Sequence, residues 1–267
     1  MKNILKNSPI PQTLLGLWLG TACLVIMQPP LLAQAENPTN PTASSADSLF
    51  EDAVKAQDPA RQARLYREYL KLKPDDATAL NNLGIALKRQ GDYEGAVSSY
   101  RKAIQNVPEG DNLRTAKIYN NLGEALRLQN KTPEALEAFN KALELDPKLG
   151  FAYNNVGKIY FSQNRLEDAI VSFQKAVSFT PKEVEPLGNL AGALIAAKRY
   201  QEAIQAAEQG VKIDPKDPIT RYNLGLALMK QAEIELKSAQ RLFENEGDQK
   251  NSARISKLLK NFLIESK

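Results

Sequence analysis

The stretch "NNLG" at residues 81–84 recurs along the chain at a nearly constant interval. It reads again as "NNLG" at 120–123, "NNVG" at 154–157, "GNLA" at 188–191 and "YNLG" at 222–225. The shared asparagines, which follow one another at steps of 39, 34, 34 and 34 residues, are Asn82, Asn121, Asn155, Asn189 and Asn223. A fixed period of this length indicates a stack of repeated units, and one period accommodates two helices and two turns.

Apolar spacing within each copy predicts those two helices. In the first copy, the i, i+3, i+4, i+7 spacing of one helical face is occupied by Leu80, Leu83, Gly84 and Leu87. A second stripe follows at Ala96, Tyr100 and Ala103, and equivalent stripes recur in the later copies. Each copy stops at a proline, which lacks the amide hydrogen and ends a helix: Pro108, Pro147, Pro181 and Pro215.

A glycine stands inside the first helix of most copies, where it costs about 1 kcal/mol relative to alanine. An alanine of the second helix recurs at a fixed distance from it, as Ala96, Ala135 and Ala169. We expect Gly84, Gly123 and Gly157 to face these alanines, so that two helix backbones approach closely.

Together these residues resemble the tetratricopeptide repeat, whose pattern combines an aliphatic–Gly pair, a Tyr or Leu, two Ala, an aromatic residue and a Pro. The resemblance implies an all-α fold, a right-handed α-solenoid of helix-turn-helix repeats with a C-terminal capping helix. It places repeats at 77–110, 116–149, 150–183 and 184–217, with a five-residue insertion near 109–114. A degenerate helix pair over 43–76 precedes them, and a divergent repeat helix plus the capping helix occupies 218–267.

The N-terminus has a different character. Lys2 and Lys6 precede an apolar run over 14–27, and "AQA" at 33–35 supplies small residues before a cleavage point after Ala35. This pattern predicts a signal peptide over 1–35, followed by a flexible linker over 36–47, and export to a periplasm or thylakoid lumen. An uncleaved membrane anchor is the alternative.

Residue usage excludes much catalytic chemistry. The chain has no His, and its one Cys, Cys23, lies in the predicted signal. We therefore expect no enzyme activity, no cofactor and no metal, although carboxylates such as Glu183 and Glu185 leave an acid–base enzyme as a remote alternative. The formal net charge is +4, and without Lys2 and Lys6 it is about +2, which disfavours nucleic acid as a partner.

The resemblance implies that the first helices line a concave surface. Helical geometry puts Asn82 on one face with Thr78, Ile85 and Arg89, so the five shared asparagines are predicted to form a ladder along that surface. A carboxamide offers both donors and an acceptor to an extended peptide backbone, and in some tetratricopeptide proteins such a ladder holds peptides. The alternative is that these asparagines only bond to a neighbouring repeat.

Side chains beside the ladder predict the partner's chemistry. Basic residues at the first copies are Lys88, Arg89, Lys117, Arg127 and Lys158; apolar residues further on are Phe151, Phe161, Ile195, Leu226 and Met229. Such a groove suits a protein segment with acidic residues next to bulky apolar ones. A clamp for a C-terminal carboxylate is not expected, because no lysine stands directly before a ladder asparagine.

The C-terminus is predicted to end the solenoid. Residues 222–243 read as one long helix, and a last helix carries an apolar stripe at Ile255, Leu258, Leu259, Phe262 and Leu263. We expect it to cap the stack; a dimer contact or a membrane-surface contact through 250–267 are the alternatives. The sequence thus predicts an exported protein-interaction adaptor for assembly or maintenance of a membrane complex, or alternatively a structural homo-oligomer, with oligomeric state open.

Overall fold

The structure is a computed structural model that describes residues 46–264, with side chains described through Lys260. The predicted signal peptide, the linker up to residue 45 and the side chains of Phe262 and Leu263 lie outside the described residues. The described range is all-helical, as predicted. Its helices are α1 (Ala46–Lys55), α2 (Pro59–Leu72), α3 (Ala77–Arg89), α4 (Tyr93–Gln105), α5 (Asn112–Leu128), α6 (Thr132–Leu145), α7 (Gly150–Ser162), α8 (Leu166–Phe179), α9 (Val184–Ala196), α10 (Tyr200–Ile213), α11 (Pro218–Asn245) and α12 (Gln249–Ile264).

The helices stack in sequence order. The first helices, which carry the "NNLG" motifs, are α3, α5, α7, α9 and α11; the second helices are α4, α6, α8 and α10. Each helix packs against the next along the chain, and each first helix also contacts the first helix of the following repeat. The helix α1 begins at Ala46, so the last two residues of the predicted linker are helical.

The turn inside each repeat contains one residue in the left-handed region. It is Gly91 (φ 83°), Asn130 (φ 61°), Asn164 (φ 59°) and Lys198 (φ 61°) in four successive repeats. Glycine and asparagine adopt this conformation more readily than other residues. The equivalent residue of the fifth copy is Ala232, and residues 230–245 contain neither Gly nor Pro. There the helix continues, so α11 reaches 28 residues.

Packing inside a repeat differs from the prediction at the glycines. The closest neighbours of Gly84, Gly123 and Gly157 are the rings of Tyr100, Phe139 and Phe173, and not the predicted alanines. A Cβ at Gly123 would lie 2.7 Å from Cε1 of Phe139. Glycine therefore makes room for a buried ring.

The fourth repeat has alanine at both the glycine position and the ring position. Ala191 stands at the glycine position and Ala207 at the ring position, and both are fully buried. A larger residue on the first helix thus meets a smaller one on the second, which keeps the helices in contact.

The insertion before the second repeat lengthens a helix. Asp111 accepts a hydrogen bond from the backbone N–H of Arg114 (3.1 Å) and so caps α5, which has 17 residues where α3 has 13. The insertion is therefore partly a turn and partly an added helical segment.

The last two helices run antiparallel. Ser252 Oγ donates to Glu244 Oε1 (3.1 Å), and Gln240 Nε2 donates to Ser256 Oγ (3.1 Å). Ile255 and Leu259 are buried against α11, whereas Leu258 is half exposed. Among the described residues, no helix has the length and apolarity that a membrane crossing requires.

Candidate peptide-binding groove

An open cavity of about 500 Å³ lies along the first helices. Its described walls come from α3, α5, α7 and α9 and from Leu149 just before α7, and they include no residue of a second helix. The central lining residues are Asn120, Asn121, Asn154, Asn155, Lys117 and Phe151. The first helices therefore line an open cavity, and two of the five ladder asparagines, Asn121 and Asn155, lie in its wall.

The ladder asparagines bond from repeat to repeat. The side-chain Nδ2 of Asn121 donates to Asn81 Oδ1 (3.0 Å), that of Asn155 to Asn120 Oδ1 (3.0 Å) and that of Asn189 to Asn154 Oδ1 (2.9 Å). In each pair the second residue of one "NN" reaches the first residue of the preceding one. The structural role left open by the sequence is thus visible in three successive repeats.

The two ends of the ladder use other acceptors. Asn223 Nδ2 donates to the backbone oxygen of Gly188 (2.9 Å), because the fourth copy has no asparagine there. Asn82 Nδ2 donates to the hydroxyl of Tyr66 (3.1 Å). Burial raises the pKa of Tyr66, and the hydrogen bond from Asn82 only partly opposes this effect.

Each pairing leaves hydrogen-bonding capacity at the cavity. A carboxamide has two N–H donors and an oxygen acceptor, and Asn121 and Asn155 each use one donor on the preceding repeat. Within residues 46–264, their Oδ1 atoms accept no hydrogen bond. The inter-repeat bond also fixes the plane of each carboxamide.

The predicted basic residues have different surroundings. Lys88 forms an ion pair with Glu124, and Lys158 forms one with Glu185, each acid coming from the next first helix. Lys117 is exposed, lines the cavity and has no ion pair within residues 46–264. The positive charge predicted for this end of the groove is therefore partly neutralised.

The remaining predicted residues lie outside the cavity wall. Arg89 donates to Gln62 Oε1 and to the backbone oxygen of Gln57, both at 3.4 Å, and so lies over the start of α2. Arg127 is half-buried, and its Nε is buried without a hydrogen-bond partner in the described part of the chain. Phe161 is exposed on α7.

Sequence reasoning missed the acidic partners. Glu124 stands three residues after a ladder asparagine, as Lys158 does. Glu185 stands four residues before one, as Lys117 does. The same offsets could therefore have placed both glutamates in the groove from the sequence alone. In the described residues, no group of three His, Cys, Asp or Glu side chains is placed to hold a metal ion.

Sequence comparison agrees with this geometry. Three models of the tetratricopeptide repeat match residues 75–148, 138–171 and 160–224, which together span more than half of the chain. The chain belongs to the tetratricopeptide repeat family. The search of curated proteins found no match to this chain.

Solved tetratricopeptide repeat structures share the fold. PilF of Pseudomonas aeruginosa is 18% identical, with a TM-score of 0.56 over 81% of this chain and 90% of its own. A thermophilic TPR protein of Thermus thermophilus is 19% identical, with a TM-score of 0.54 over 69% and 100% of the two chains. MamA of Desulfovibrio magneticus is 21% identical, with a TM-score of 0.53 over 65% and 95%. At these identities the likeness concerns the fold alone.

Proposed function

We propose that this tetratricopeptide repeat protein is a non-enzymatic adaptor that binds a segment of a partner protein in the groove of its first helices. The observation that carries the proposal is the open cavity in which Asn121 and Asn155 present oriented carboxamides with unused acceptors. An extended backbone supplies alternating N–H and C=O groups, which such carboxamides can satisfy without reading side chains.

Side chains next to these carboxamides define the preferred segment. Lys117 and Phe151 stand at the same position of successive repeats, four residues before the ladder asparagine. Lys117 offers a cation free of ion pairs within the described residues, and Phe151 is 47% exposed. The preferred segment therefore carries an acidic side chain and, one repeat further, a bulky apolar one.

Export is part of the proposal and rests on the N-terminal sequence. Lys2, Lys6, the apolar run and "AQA" at 33–35 support secretion to a periplasm or thylakoid lumen. An exported adaptor would serve the assembly or maintenance of a membrane complex. A contact of residues 250–267 with a membrane surface belongs to the same hypothesis.

Selection from a phage-displayed library of random twelve-residue peptides tests the groove. The full chain is compared with a Lys117→Glu/Phe151→Ser variant, which leaves the inter-repeat asparagine bonds intact. Its matched control is Lys102→Glu/Val171→Ser, two exposed residues on second helices. We expect enriched acidic–apolar peptides that bind the parent and the control equally in calorimetry and bind the groove variant at least about tenfold more weakly. Equal binding to all three proteins would contradict the proposal.

A further inference from the structure

The core-facing positions of the first helices are largely buried in four repeats and open in α11. Five residues after the ladder asparagine, Leu87, Leu126 and Leu194 are 2–3% exposed, whereas Leu228 is 48% exposed. One residue after that asparagine, the aliphatic side chain is buried in the first four copies, whereas Leu224 is only half-buried. The fifth copy thus presents core residues to solvent.

The glycine position shows what is missing there. A Cβ at Gly84, Gly123 or Gly157 would meet an aromatic ring of the second helix, but a Cβ at Gly225 would meet no atom of the described residues within 4 Å. Because α11 continues through Ala232, the described chain has no second helix that packs on its Gly225 position. Its neighbour α12 runs along the later part of α11: the bonds of Ser252 and Ser256 to Glu244 and Gln240 set a register that ends opposite Ala232, so residues 221–228 lie beyond the end of α12.

The residues on this side of α11 form one continuous surface, which is exposed except at Leu224 and Ala232, where it is half-buried. Counted from Arg221, these residues follow at 3, 4, 7, 11 and 14 positions, a spacing that puts them on one side of a helix. This open face consists of Arg221, Leu224, Gly225, Leu228, Ala232 and Glu235. The groove-side residues Leu226 and Met229 lie about 100° or more around the helix axis from Leu228, so a contact on the open face leaves the groove accessible.

We propose that the open face binds the open face of a second copy of this chain, with the two α11 helices antiparallel. A twofold axis at Leu228 places Leu228 against its own counterpart and Leu224 against Ala232 of the partner subunit. The same axis brings Arg221 opposite Glu235 of the partner subunit, once at each end of the contact. The face is therefore complementary to itself in size and in charge.

The charged residues are available for this contact. Arg221 and Glu235 are exposed, and neither has an ion pair within residues 46–264. Arg221 donates through Nε to the backbone oxygen of Pro215, which leaves its other N–H groups unused, and Glu235 accepts from Gln231 through one oxygen (2.7 Å). A bidentate approach of guanidinium to carboxylate is favourable.

Charge also selects the orientation. A parallel pair of helices would place Arg221 against Arg221 and Glu235 against Glu235, and like charges in register oppose association. An antiparallel pair shifted by one heptad would place Glu235 against Leu228 of the partner subunit, burying a carboxylate against an apolar side chain. Of these three arrangements, the antiparallel pair with its axis at Leu228 is the one that pairs both charges and places Leu228 against its own counterpart.

Sedimentation equilibrium of the full chain tests the proposal. We expect a dimer whose dissociation constant rises at least about tenfold in Arg221→Glu and in Glu235→Arg, because each change creates two like-charge contacts. The double variant Arg221→Glu/Glu235→Arg restores the contacts with reversed sign and should return to within about threefold of the parent. Arg241→Glu, an exposed reversal on the same helix outside the open face, is the matched control.

Two results would overturn the proposal. One is a chain that stays monomeric at every concentration, as expected if a helix of another protein covers this face. The other is a dimer that responds to Arg241→Glu as strongly as to Arg221→Glu. Circular dichroism of each variant shows whether the helices are retained, so a folding defect is recognised as such.

A crosslink examines the axis itself. In a Cys23→Ser background, Leu228→Cys should form a covalent dimer with diamide as oxidant, because a residue on the axis lies near its own counterpart. Leu258→Cys on α12 is the control, since Leu258 and Leu228 are 50% and 48% exposed. Equal crosslinking of both variants would exclude the proposed axis.

Discussion

The repeats α3–α8 and the helix α11 carry the same first-helix motif but bury it to different extents. In α5, Gly123 packs under Phe139 and Leu126 is buried, whereas in α11 the equivalent Gly225 and Leu228 face solvent. The two helices differ in their covering partner, since α6 folds back on α5 and nothing in the described chain folds back on this face of α11. The motif therefore specifies a helix with an apolar face, and the ring of the second helix makes that face a core.

Removal of a covering ring should give the largest effect. Phe139→Ala should lower the free energy of unfolding by about 3–5 kcal/mol, because it leaves a cavity over Gly123. Leu228→Ala should change it by less than about 0.5 kcal/mol in the monomer, because the side chain is half exposed. Urea titration followed by circular dichroism, at concentrations where sedimentation shows monomers, measures both. Equal losses in the two variants would refute the difference between the regions.

Adding one methyl group to each glycine should produce effects of opposite sign. Gly123→Ala forces the Phe139 ring to move and should lower the free energy of unfolding by about 1–3 kcal/mol. Gly225→Ala meets no neighbour and should raise it by up to about 1 kcal/mol through helix propensity. The same urea titration decides, and a destabilised Gly225→Ala monomer would mean that this face is covered.

The N-terminal caps of α3 and α11 also differ between the two regions. Asp76 caps α3 through the N–H groups of Thr78 and Ala79, and Tyr69 donates to its Oδ2 at 2.6 Å. The equivalent cap of α11, Asp217, has Gly210 at the position of Tyr69. Removal of the hydroxyl in Tyr69→Phe should lower the free energy of unfolding by about 1.5–3 kcal/mol, as expected for a hydrogen bond to a charged group.

The pH dependence of that variant identifies the cause. Burial alone would raise the pKa of Asp76, but hydrogen bonds from Tyr69, Ala79 and Thr78 lower it overall. Their stabilisation is present above the unfolded pKa of about 4 and is lost as pH falls through the folded pKa. Burial, followed by the bond to Asp76, raises the pKa of Tyr69 to about 12.

The tyrosine therefore adds a second, alkaline transition. Its stabilisation should be present below about pH 10 and be lost as pH rises toward 12. Tyr69→Phe should reduce the loss of stability at alkaline pH and the loss at acid pH. The alkaline loss that remains belongs to Tyr66 and Tyr100, because burial raises the pKa of these tyrosines as well. Urea midpoints between pH 3 and 12 provide the measurement, and an unchanged alkaline loss in the variant would assign it to another group.

Coupling between asparagines should be the smallest effect. A double-mutant cycle on Asn155→Ala and Asn120→Ala should show about 1 kcal/mol of interaction, because their hydrogen bond is lost in either single variant. The cycle of Asn223→Ala with Asn189→Ala should show almost none, because Asn223 bonds to the backbone of Gly188. Coupling of the same size in both cycles would contradict the described pairing.

Local features of the fold were predictable from the sequence. The period set by Asn82 and Asn121 indicated the repeats, apolar spacing indicated the helix pairs, and the run over 222–243 indicated the long helix. The all-helical fold and the family are confirmed. These features depend on spacing within one or two helices, which a single sequence shows directly.

Contacts between helices were harder to predict from the sequence. Spacing alone did not show that Gly84 packs under Tyr100. Ala96 lies on the same helix as Tyr100, and its small side chain suited an equally close approach to Gly84. The pairing of Lys88 with Glu124 and of Asn155 with Asn120 depends on how far one repeat is rotated and shifted against the next. The open face of α11 depends on where a helix fails to turn, and Lys198 shows that an unfavourable residue at the turn does not prevent it.

Affinity capture from a lysate of the native cells tests the central claim that the groove holds a partner. The full chain serves as bait beside Lys117→Glu/Phe151→Ser and its control Lys102→Glu/Val171→Ser, after circular dichroism has shown equal folding. We predict one partner protein retained by the parent and the control and lost by the groove variant. Retention of the same partner by all three baits would contradict the groove and move the binding surface to the second helices or to α11 and α12.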